Sequence, residues 1–151
     1  MSSSTGIISK TMARFVAVQF MYKIHMTGDT AFSPSDVDEF VNTYAPKETN
    51  VKFFKRLVSN VSNFSKDANL DEIIETSLGN NALISNAQPV EICIIKTALV
   101  EMIYEKTDIP VIINEYVEIA KDFLDAKSVK FINAVLDKIA QKVERKCLTQ
   151  V

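Results

Sequence analysis

The side chains of this sequence best suited to meet a charged ligand are cations near its start. Lys10 and Arg14 stand four apart, and together with Lys23 they belong to a first 28 residues that contain no acidic side chain. Positions four apart are neighbours on one helix face, so the two charges are expected to add at one place on the surface, as phosphate binding requires. Bond-making chemistry finds less support. His25 is the only histidine, which rules out a metal site built from several imidazoles, and it reads as a structural or surface residue. No G-x-S-x-G, G-x-G-x-x-G or P-loop pattern occurs, and three scattered glycines cannot build a phosphate-cradling loop. The carboxylate pairs Asp36/Asp38, Glu115/Glu118 and Asp122/Asp125 lie opposite apolar faces and read as solvated surface. An acid pair for catalysis would need a cleft and one shifted pKa. Cys93 and Cys147 have no metal-ligand spacing, so neither zinc nor a disulfide framework is expected, and two thiols suit a reducing compartment. The expectation is a protein with no cofactor, no metal and no catalytic role.

These side chains must be positioned by helices. At 151 residues with 47% hydrophobic content the chain has the usual size of one domain, 1–151, with an ordered core expected over about residues 9–146. Low Gly and Pro counts leave little turn chemistry for a sandwich or barrel. From Ser9 to Met26 apolar residues lie nearly all round a helix. Ser33-Pro34 reads as an N-cap and first helical position for a short helix through Val37, Phe40 and Val41. A third helix from about Asn50 buries Val51, Phe54, Leu57, Val58 and Val61 and turns Lys52, Lys55 and Arg56 outward. Asn69 with Glu72 resembles a capping box opening a further short helix, and GNNALISNAQP reads as a loop. After Pro89 the run VEICIIKTALVEMIY predicts a central helix buried on several sides, in which Lys96 is paired or snorkels. Beyond Pro110 a helix offers Ile113, Tyr116, Val117, Ala120 and Phe123 to the core and turns Glu115, Glu118, Lys121 and Asp122 to water. Ser128 is expected to cap the last helix. The fold class is all-α, with about seven helices. No apolar run reaches the roughly 18 residues needed to cross a bilayer, and MSSSTGIISK has no signal-peptide order, so a cytoplasmic protein without membrane contact is expected.

Three segments, in order, resemble the NusB family of transcription antitermination factors: ARFVAVQFMY, VEICIIKTALVEM, and IPVIINEYVEIAKDF followed by SVKFINAVLDKIA. The resemblance runs from about Ala13 to Ala140, with a divergent middle from Gly28 to Pro89. It implies two small helical bundles at an angle, and binding of the boxA element of ribosomal RNA leaders jointly with the ribosomal protein NusE, in the RNA polymerase antitermination complex. It implies phosphate contacts from Lys10 and Arg14. At the junction before the last helix, FLDAKSVKF, it implies that Phe123 stacks on a base while Lys127, Ser128 and Lys130 present donors, aided by the helix N-terminal amides. Phe123 also falls in phase with the core stripe. Gln19, Tyr22 and Glu91 are candidates for the protein-partner surface, although Tyr22 can equally pack and Glu91 suits a helix start.

The chain departs from that pattern at its start, where Thr11 and Met12 interrupt the arginine-rich stretch usual in the family, while Lys127 stands where an acidic residue is common. Fewer phosphate contacts imply weaker binding of RNA without NusE and a shallower salt dependence. The rival expectation is a NusB-like interaction module, homodimeric or scaffolding, with little RNA affinity of its own. NusB-like domains also precede RNA methyltransferase domains, but no cofactor-binding sheet is expected within these 151 residues.

Overall fold

The structure, a computed structural model, describes residues 3–28, 31–65 and 87–149, with side chains described for 6–28, 31–63 and 87–143. Among them are six helices: α1 (Ser3–Thr27), α2 (Pro34–Tyr44), α3 (Val51–Ser65), α4 (Pro89–Tyr104), α5 (Ile109–Phe123) and α6 (Ala126–Thr149). The described residues contain no strand. The expected capping box at Asn69 and Glu72 and the following loop as far as Asn86 lie outside the described residues.

Helix boundaries follow local chemistry. Gly28 ends α1 at φ 77°, a left-handed conformation open to a residue without Cβ. Ser33 caps α2: its hydroxyl accepts the Asp36 amide at 3.1 Å and the Asp36 carboxylate accepts the Ser33 amide at 2.8 Å, with Pro34 in the first turn. Asn50 Oδ1 accepts the Phe53 amide at 3.0 Å, and the Asn50 amide donates to the carbonyl of Ser9 at 3.1 Å, which pins the start of α3 to α1. At the last helix the cap is Asp125, not Ser128. The Asp125 carboxylate accepts the Ser128 amide at 2.8 Å, and Ser128 itself lies buried in the first turn.

Two cores share α1 and α4. One is built from α1, α2 and α3, where Phe20 meets Phe32, Phe40 and Phe54 edge-on at centroid distances of 4.9, 5.2 and 6.0 Å. Such pairs add about 0.5–1.5 kcal/mol each beyond the area they bury. The other joins α4, α5 and α6 through Ile94, Leu99, Ile112, Tyr116, Ile132, Leu136 and Ile139. Val18 of α1 enters the second core and Val100 of α4 the first. That exchange explains why both helices are apolar nearly all round: α1 packs on α3, α4 and α5, and α4 on α3, α5 and α6. Among the described residues no helix is long and apolar enough to cross a membrane.

Candidate nucleic-acid interface

Where α1 crosses α4 and α5, a set of polar side chains is buried between the two cores. Arg14 is 3% exposed and Glu101 0%. The Arg14 Nε donates to both Glu101 oxygens at 2.9 and 3.2 Å, Nη2 to Glu101 Oε2 at 2.8 Å, and Nη1 to Glu115 Oε1 at 2.9 Å. Tyr116 Oη donates to Glu101 Oε1 at 2.8 Å and Thr11 Oγ1 to Glu115 Oε1 at 2.7 Å. Burial opposes the charge on Arg14, but the hydrogen bond to Glu101 and the charge of that carboxylate outweigh it and hold the guanidinium pKa above its ordinary value. Burial, then the neighbouring Glu101, pushes the Tyr116 phenol well above its usual range. The four-residue spacing of Lys10 and Arg14 predicts charges that add at the surface. Instead, two carboxylates take Arg14 inward, and Glu115, expected to face water, is its second partner.

Lys10 is only half-buried, with Nζ 5.3 Å from the centre of the Phe53 ring. Arg14 and Arg56 approach the same ring at 5.2 and 5.5 Å. Arg56 extends from α3 and pairs with Glu105, Nε to Oε2 at 3.1 Å and Nη2 to Oε1 at 3.2 Å. Together with Tyr104, Lys106 and Val111 these residues border a groove of about 570 Å³ beside the N-terminal half of α1. The sequence turns Arg56 outward from the third helix without giving it a role, and it gives none to Tyr104 or Lys106. Their signals were the basic side of VKFFKR and the Tyr-Glu-Lys at the end of α4, and neither reveals that α3 and the α4–α5 turn meet through Arg56 and Glu105.

The α5–α6 junction has a different character. Phe123 is 40% exposed, and its ring stacks on Phe15 of α1 with centroids 5.2 Å apart and planes 23° from parallel. It is therefore held by the core on one side and open on the other, so both readings of its phase contain part of the answer. Lys127 and Lys130 are exposed on the first turns of α6. Ser128 lies between them but is buried, and its hydroxyl is tied to Asp125. Since Asp125 accepts the Ser128 amide, a carboxylate already occupies the helix N-terminus that was expected to offer free amides to an anion. The backbone amide of Ser128, followed by its hydroxyl, holds the Asp125 carboxyl below the usual range.

The remaining candidates separate. Gln19 is half-buried on α1 and Tyr22 is exposed. Glu91 is buried at the start of α4, where its Oε1 accepts the Gln88 amide at 2.7 Å, so its carboxylate closes a capping box instead of facing outward. Lys96 is half-buried. Among the described residues no group of three His, Cys, Asp or Glu side chains is placed to hold a metal ion.

Comparison with known proteins points one way. The sequence model of the NusB family matches residues 11–141. The transcription antitermination protein NusB of Clostridium botulinum (strain Alaska E43 / Type E3) is 34% identical over 139 residues, covering 89% of this chain and 100% of that protein. NusB of T. maritima superposes with a TM-score of 0.72 at 22% identity, over 87% of this chain and 89% of that one. A chain from the crystal structure of antitermination factors NusB and NusE in complex with dsRNA superposes with a TM-score of 0.72 at 24% identity, over 87% of this chain and 96% of that one. At these identities the two superpositions establish the fold.

Proposed function

Because the chain belongs to the NusB family, we propose that it is a cytoplasmic transcription antitermination factor, a single RNA-binding domain that acts by binding boxA-type single-stranded RNA together with NusE and performs no covalent chemistry. The observation that carries the RNA reading is the α5–α6 junction, where a half-exposed aromatic ring stacked on Phe15 ends α5 and the exposed Lys127 and Lys130 follow on the first turns of α6. Single-stranded RNA is held by cations along its backbone and by planar groups against its bases, and this junction offers both. Lys10 serves the backbone from α1, while Arg14 acts by fixing α1 against α4 and α5. Gln19 and Tyr22 are assigned to the NusE side, and Glu91 contributes through the shape of the α4 start.

A second reading, a protein-interaction or homodimerisation module with little RNA affinity, is favoured by the sequestration of Arg14 and by the net charge of -2. Fluorescence anisotropy of a boxA RNA and a scrambled RNA, each with and without the cognate NusE, separates the two. Selective binding that NusE strengthens and Lys127→Ala/Lys130→Ala weakens is expected. No selective binding with NusE present would leave the interaction module.

A further inference from the structure

Apart from Lys10, the groove beside α1 has no role in the reading above, and its composition is unusual for a surface whose chain is net acidic. Lys10 and Arg56 lie within 5.3 and 5.5 Å of one ring centre, that of Phe53, so two cations from different helices converge on one spot. Lys106 adds a third from the α4–α5 turn, and neither Lys10 nor Lys106 makes an ion pair among the described residues. Arg56 does, with Glu105, but that pair is exposed on the arginine side and such pairs are worth little, so an incoming phosphate exchanges for the carboxylate at small cost. Tyr104 is half exposed on the rim. The volume of about 570 Å³ falls in the range of sites that hold small organic ligands.

We propose that this groove is a second subsite for single-stranded RNA, in which Arg56 and Lys106, continuing from Lys10, hold the sugar-phosphate backbone of nucleotides flanking the recognised element and Tyr104 stacks on one of their bases. Cations without an aromatic surface would fit an acidic peptide equally well; the exposed ring on the rim of the basic groove is what favours a nucleotide. The proposal rests on the RNA-binding reading. It differs from it in assigning affinity to α3 and the α4–α5 turn, which contribute nothing at the α5–α6 junction. Contacts to backbone and one ring carry little sequence information, so the subsite adds affinity and length dependence without altering which element is chosen.

The test uses the full chain with NusE and two labelled RNAs, the boxA element alone and the element extended by flanking nucleotides on both sides, with Tyr104→Ala, Lys106→Glu and Lys127→Ala/Lys130→Ala variants. Wild type is expected to bind the extended RNA more tightly. Tyr104→Ala is expected to weaken the extended RNA roughly 5- to 150-fold, the range of single base-stacking losses. The short RNA should be unaffected. Lys106→Glu, at an exposed site whose folding is checked by thermal melting, should do the same and flatten the salt dependence. Groove variants that bind the extended RNA like wild type overturn the subsite while leaving the junction intact, as does a loss confined to NusE binding. Failure of wild type to bind either RNA overturns the RNA reading and the subsite with it.

Discussion

Arg14 lies buried between the two cores, paired with Glu101 and Glu115. Its guanidinium is buried against Glu101, which has no exposure, so Arg14→Ala leaves a carboxylate without its counter-charge. Breaking a buried pair from one side costs about 3–5 kcal/mol, and guanidinium unfolding of Arg14→Ala should show a loss of that order. Tyr116→Phe removes one donor to the same carboxylate while Arg14 stays, so the expected loss is smaller, about 1–3 kcal/mol. Equal losses would mean that the charge is not what the site must satisfy. Lys10→Ala, by contrast, should leave the unfolding midpoint close to wild type, because its contact is a partly exposed cation over a ring. A second residue-level consequence concerns Cys93, whose thiol burial pushes up to about 11. Only the thiolate alkylates, so iodoacetamide at mildly alkaline pH should leave Cys93 unmodified in the native protein and label it once denaturant is added, as read by peptide mass spectrometry. Rapid labelling under native conditions would show that α4 opens far more readily than its burial implies.

At the level of helices, two carboxylates set the starts of α2 and α6. Asp36 is held low by the Ser33 amide and then the Ser33 hydroxyl, Asp125 by the Ser128 amide and then the Ser128 hydroxyl. Each folded pKa is below its unfolded value, so the caps contribute stability above the ordinary carboxylate range, and that contribution disappears as pH falls through the lowered values. Denaturation midpoints should therefore drop on acidification below about pH 4, the ordinary range of an aspartate. The drop should be shallower in Asp36→Asn/Asp125→Asn, which keep an acceptor without a titrating group. An unchanged profile would mean that the caps do not couple to folding. Ser33-Pro34 announced the first cap in the sequence because its partners are three residues apart. Helical period likewise made α1, α3, α4, α5 and α6 legible, since apolar spacing is a local signal. The site was less so. Arg14 and Glu101 are 87 residues apart, Arg14 and Glu115 101, and Arg56 and Glu105 49. No window of one helix contains both members of such a pair, and a cation read from its own helix alone looks solvated. Ser128 reads as a cap in the sequence because serine and aspartate compete for that position, and only the backbone shows which lies outside the helix.

Across the whole molecule the charge is -2, so long-range attraction to RNA is absent and affinity must come from cations in contact. That makes the salt dependence a count of how much of the surface is engaged. For a single strand the slope of log K against log salt is about -0.7 per neutralised phosphate. Lys10 with Lys127 and Lys130 of the α5–α6 junction predicts a slope of about -2.1, whereas adding Arg56 and Lys106 from the groove predicts about -3.5. The buried Arg14 contributes to neither, because its charge is already met by Glu101 and Glu115. Measured for this chain with NusE held saturating, and with the contribution of NusE subtracted through the Lys127→Ala/Lys130→Ala and Lys106→Glu variants, the slope distributes RNA between the groove and the α5–α6 junction. A short RNA should give the smaller value and an extended one the larger. A steep slope that survives both variants would move the cations that hold RNA onto NusE, leaving this chain to set the geometry of the complex through the exposed ring of Phe123 and its shared face with the partner.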